Sequence, residues 1–179
     1  IFNLKALGEM LNKERRYEEC IVVMSEQLDR ITACWQLNPN HPYLEESVYH
    51  SMVVLAHALD SNVEVKEAIA LYRIAMEGRR NLLGAKHLDT CASMANLGMA
   101  LRRDWQWAEA EALFAEELAL TRLNGDDKET LVSITLLAEV LQEQAEACPD
   151  GRESAEAKAR EALSLLSLIH ISEPTRHRS

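Results

Sequence analysis

The chain has 179 residues, a formal net charge of -10, 47% hydrophobic residues and 5% aromatics. An acidic balance of this size opposes a phosphate backbone, and no apolar run reaches the roughly 20 residues a membrane span needs, so neither nucleic acid nor a membrane is an expected partner. Little Gly and Pro among abundant Ala, Leu and Glu is the composition of packed amphipathic helices, and the expected fold class is all α.

The first segment, LKALGEML, places Leu7, Gly8 and Leu11 on one helical face, and RRYEECIVVMSEQL behind it carries Cys20, Met24 and Leu28. VVLAHAL repeats the first pattern at Leu55, Ala56 and Leu59, followed by Ala68, Tyr72 and Met76. MANLGMAL does so again at Leu97, Gly98 and Leu101, followed by Ala110, Phe114 and Leu118. TLLAEVL supplies Leu137, Ala138 and Leu141, and then Ala155, Ala159 and Leu163. Large residues at i, i+4 and i+8 make one stripe on a helix of 3.6 residues per turn, so each unit predicts two antiparallel helices.

The small residue beside each first leucine and the one that opens each second stripe mark a close helix crossing. Filling one of them, as in Ala110→Leu, should cost about 1–3 kcal/mol by overpacking. The interval between the two stripes is nine residues in the first three units (Leu11 to Cys20, Leu59 to Ala68, Leu101 to Ala110) and fourteen in the last (Leu141 to Ala155), an insertion within EACPDGRES. The units span about 1–36, 43–82, 87–123 and 127–165, a helical repeat domain over residues 1–165 expected to be truncated at both ends.

These residues resemble the tetratricopeptide repeat family over about residues 2–165. The units are offset by 48, 42 and 40 residues, and LLGAKHLDTCASMANLGMAL at 82–101 is similar to the kinesin light chain subtype through Leu83, Gly84, His87, Thr90, Asn96 and Leu97. Leu88 stands where that subtype has Pro, and the fourth unit has NGDDKET without a His. The resemblance implies a right-handed α-solenoid of about four antiparallel helix pairs, a non-enzymatic, cytoplasmic scaffold whose partners are other proteins or peptides. It also implies two more specific roles: a cargo adaptor of the kinesin light chain type, or the regulatory sensor repeats of a larger signalling ATPase.

In such a solenoid the first helices of the units line a concave groove. The groove candidates are Lys5 on the first unit, His50 and His57 on the second, Asn96, Met99, Arg102 and Arg103 on the third, and Thr135 and Glu139 on the fourth. Glu9, Lys13, Val53, Ala92 and Gln142 lie off the core stripe on the same helices. Asn96 could clamp a peptide backbone with both a donor and an acceptor, as an Asn there does in the resembled family, and Arg102 and Arg103 could pair with an acidic peptide side chain.

Catalytic chemistry is not signalled. GxGxxG, GxxxxGK[ST], HExxH and GxSxG are all lacking, so no catalytic residue and no cofactor are expected. His50 and His57 share a face but stand about 10 Å apart along the axis, too far to hold one metal without other ligands. Cys20, Cys34, Cys91 and Cys148 show no CxxC pairing, which fits a reducing compartment. His87 reads as a structural residue of the turn before a first helix, with Asp89 or Thr90 as N-cap. Trp105 and Trp107 read as packing residues of the turn inside the third unit, Trp107 corresponding to Tyr17.

The ending stands apart. LSLIHISEPTR, residues 166–176, resembles the translation of a transposase adapter used in DNA library preparation, so residues 166–179 are expected to be a sequencing-adapter artefact and the chain a fragment. The first residue is Ile1, which fits the same expectation. Cut repeats expose faces that a neighbouring repeat would cover, so self-association through the truncated ends is expected.

Overall fold

The computed structural model describes residues 3–41, 43–125, 127–147 and the helical positions 153, 156, 157, 160 and 164. The adapter-like tail, Cys148, and the last stripe of Ala155, Ala159 and Leu163 lie outside the described residues. Among the described residues up to 147, seven helices follow one another: α1 (Leu4–Lys13), α2 (Tyr17–Leu37), α3 (Leu44–Ser61), α4 (Val65–Leu83), α5 (Leu88–Arg103), α6 (Trp107–Asn124) and α7 (Asp127–Ala147). No strand occurs among the described residues, so the fold class is all α. None of the described helices is long and apolar enough to cross a membrane. The chain divides into two compact units, Ile1–Asp104 with α1–α5 and Trp105–Ser179 with α6 and α7.

Within the first unit each helix packs on the next, and α1 also touches α3. The crossings fall where small residues predict them. Gly8 is buried against the Met24 thioether, which a Cβ at that position would strike, and the Cys20 thiol donates to the Gly8 carbonyl at 3.2 Å. Ala56 and Ala68 are fully buried in the α3–α4 pair, with Tyr72 filling the next turn. Leu11, Leu55, Leu59, Leu97 and Leu101 are core residues, while Leu7 and Leu28 are only half-buried. In the second unit Leu118 on α6 meets Ile134, Leu137 and Ala138 on α7, and Ala110 and Phe114 are fully buried.

The repeat also governs the turns. α1, α3 and α5 each end in a three-residue turn whose middle residue is left-handed without being glycine: Arg15 (φ 60°), Val63 (φ 71°) and Trp105 (φ 63°). Beyond it, the Arg16 N–H donates to the Leu11 carbonyl and the Glu64 N–H to the Leu59 carbonyl, both at 2.9 Å. This bond over five residues is the Schellman closure, so two of the repeat leucines also terminate their helices. Between units the device differs, because Gly84 (φ 90°) stops α4. The cap of α5 is His87 itself, whose Nδ1 accepts from the Asp89 N–H at 3.2 Å. Asp89 and Thr90 therefore do not cap this helix. Thr90 is buried inside its first turn and donates to the Gly84 carbonyl at 2.9 Å, a bond that ties the helix to the preceding loop.

Candidate functional site

Four of the residues expected to line a groove, Lys5, His50, His57 and Arg103, fall into two clusters of the first unit. On α1 and α3, Glu9 accepts from His50 Nε2 at 3.0 Å and lies 4.0 Å from the Lys5 ammonium. A single carboxylate thus gathers two of the candidate residues. On α3 and α5, Arg103 Nη1 donates to Asp60 Oδ2 at 2.6 Å across 43 residues of sequence. His57, one turn before Asp60, stands edge-on to the Tyr72 ring with centroids 5.5 Å apart. Burial pushes the His57 imidazole below its ordinary pKa, and the nearby Asp60 carboxylate partly opposes the shift.

Other candidates are placed differently. Val53, on the same helix as the two histidines, is only 8% exposed and belongs to the core. Asn96 and Met99 lie three residues apart on α5, both half-buried, and the Asn96 carboxamide has no hydrogen-bond partner among the described residues. Arg102 is half-buried and engaged with a neighbour. In the second unit Thr135 and Glu139 are exposed on α7, where the Thr135 hydroxyl donates to the Leu131 carbonyl at 2.9 Å. Gln142 pairs with Glu146 at 3.1 Å on the same helix.

Residues that pattern reading passed over supply much of the electrostatics. Asp60 was available as an acid three residues after His57 but shows its role only through Arg103. Trp105 is 72% exposed and meets Trp107 edge-on at 5.5 Å, so of this aromatic pair only Trp107 has a packed position. Among the described residues no group of three or more His, Cys, Asp or Glu side chains could hold a metal ion.

Residues 55–122 match the tetratricopeptide repeat family model. That stretch is similar to tetratricopeptide repeats. Repeats of this family serve generally as protein-interaction scaffolds. A protein of Podosopora anserina described as a kinesin light chain with nearly identical TPR-like repeats has the same fold, with a TM-score of 0.73 at 21% identity over 98% of this chain and 76% of that one. A single-residue variant of that protein gives a TM-score of 0.73 at 19% identity over 97% and 76% of the two chains. BtubC (BKLC) from P. vanneervenii follows with a TM-score of 0.55 at 16% identity over 98% and 83%. At these identities the likeness is one of fold. The comparison with curated proteins returned no relative.

Proposed function

We propose that these tetratricopeptide-like repeats bind a segment of another protein along the face formed by α1, α3 and α5, with Asn96 as the central contact. The observation that supports this most directly is the Asn96 carboxamide, half-buried with no hydrogen-bond partner among the described residues. A half-buried amide offers a donor and an acceptor side by side, which matches the backbone of an extended peptide. Met99, one turn further, adds an adaptable apolar surface beside it. Lys5, His50, His57, Arg102 and Arg103 are the further contact candidates in the first unit, and Thr135 and Glu139 are separate candidates on α7.

Arg103 is a less available contact than its charge alone implies. It already holds Asp60 at 2.6 Å, so an acidic peptide side chain has to compete with that pair. The proposed chemistry is recognition without turnover. The test is titration of a peptide library against the wild-type chain and Asn96→Ala, with helicity checked by circular dichroism. A loss of roughly tenfold or more in affinity, about 1.4 kcal/mol, is expected in the folded variant. Unchanged affinity removes Asn96 from the site.

A further inference from the structure

The second unit buries a carboxyl that peptide binding does not use. Glu117 on α6 is 2% exposed, and its Oε2 has no hydrogen-bond partner among the described residues. The other side of the carboxyl meets the Ser133 hydroxyl of α7, which is fully buried. Ser133 gives its own proton to the Glu129 carbonyl, Oγ to O 2.9 Å. A carbonyl can only accept, so what Ser133 has left for Glu117 is a lone pair. An ionised carboxylate also has only lone pairs. The contact is a hydrogen bond when Glu117 carries a proton and donates it.

An internal comparison supports this assignment. Ser93 on α5 occupies the place of Ser133 one repeat of 40 residues earlier, and it gives its proton to the Asp89 carbonyl at 2.8 Å. Its lone pair is met by Arg79 Nη1 at 3.0 Å, a group that can only donate. In the α6–α7 pair the position of Arg79 is taken by Thr121, whose hydroxyl is spent on the Leu118 carbonyl at 3.2 Å. The group left to meet the serine there is the Glu117 carboxyl.

We propose that Glu117 is held protonated and donates to Ser133, so that the α6–α7 helix pair is a pH-responsive element, tight when Glu117 is neutral and loosened when its proton passes to water. The group facing it with charge is the Glu129 carboxylate of α7, while Thr121 on its own helix and Thr130 and Ser133 on α7 are neutral. Ionisation would set two like charges about one serine in a buried slot. Burial, with Glu129 adding to it, outweighs the opposing effect of the Ser133 contact and pushes the Glu117 carboxyl up to about 7. The folded value lies above the ordinary 4.5, so the contribution is complete below that value, declines as pH rises, and is lost above the folded value.

The experiment is a carbon-13 titration of the Glu117 carboxyl in the intact wild-type chain, with the resonance assigned by its loss in Glu117→Gln. A midpoint near neutrality is expected, and one in the ordinary glutamate range overturns the proposal. Amide hydrogen exchange adds the structural readout: protection factors on α6 and α7 should fall at least tenfold from mildly acidic to neutral pH in the wild type and stay level in Glu117→Gln. Level protection in the wild type overturns the switch. If Glu117→Gln does not fold, Glu129→Gln takes its place, and the Glu117 midpoint should then move down. An unmoved midpoint overturns the pairing with Glu129.

Discussion

Arg79 on α4 holds Glu46 on α3 through two donors to one oxygen, Nε at 3.1 Å and Nη2 at 2.7 Å, and the guanidinium is only 5% exposed. Its remaining arm reaches Ser93 and the Asp89 carbonyl on α5, so one side chain ties three helices. The second Glu46 oxygen is buried with no partner among the described residues, which makes this carboxylate depend on Arg79. Arg79→Ala should therefore destabilise the chain by about 3 kcal/mol, the low end for a buried pair because Glu46 keeps some access to water. The double variant Arg79→Met, Glu46→Met should recover most of the loss, since it removes both charges together. Urea midpoints with unchanged slope measure both effects, and a single variant close to wild type would show the pair to be dispensable.

Gly78 on α4 lies under the Tyr49 ring of α3, and a Cβ there would fall inside that ring. The ring is held in place by its hydroxyl, which donates to Glu45 at 2.8 Å, and burial pushes the phenol up to about 12. Gly78→Ala should cost about 1–3 kcal/mol by overpacking even though alanine favours a helix by about 1 kcal/mol. Gly8→Ala should cost less, because the group it meets is the end of a flexible Met24. Thermal melting of the two variants orders them, and a reversed order would contradict the contrast between rigid ring and flexible thioether.

Val63 is left-handed and β-branched, a combination with a steric cost of about 1–2 kcal/mol, and its side chain is 80% exposed. Val63→Gly removes that strain and loses almost no packing, while the greater freedom of glycine in the unfolded chain takes back part of the gain. A net stabilisation of up to about 1 kcal/mol is expected, read as a rise in Tm. A fall in Tm would mean that Val63 makes a contact worth more than its strain.

His57 couples the first unit to pH with a sign opposite to that of Glu117. Its folded pKa is depressed by burial, so its contribution is present above the ordinary value of 6.5 and is lost as pH falls through the folded value. Acidification should lower the Tm of the wild type more than that of His57→Phe, which has nothing to protonate. Parallel curves would place the proton elsewhere.

The turns show how far a pattern of residues reaches. The left-handed residues at Arg15, Val63 and Trp105 are spaced by the same 48 and 42 residues as the leucine stripes, so the unit length read from Leu7, Leu55 and Leu97 is also the unit length of the backbone. That agreement follows from local geometry, because a helix of given length that ends in a given turn returns its partner at a set residue. The caps were less legible. His87 rather than Asp89 or Thr90 caps α5, since an imidazole two residues before an amide competes for it as well as a carboxylate or hydroxyl does.

By itself the sequence determined the helical class, the two-stripe unit and the small residues at the crossings. These depend on periodicity along a single helix, which 3.6 residues per turn makes visible in a string of letters. Only the tertiary structure decided that Arg103 is held by Asp60, that Glu46 relies on Arg79, that Gly78 accommodates Tyr49, and that Glu117 faces a serine whose proton is already given away. Each of these is a contact between side chains on different helices. A polar group has many partners of suitable chemistry along the chain, and which of them comes within 3 Å is set by the crossing of the helices rather than by the spacing on either one.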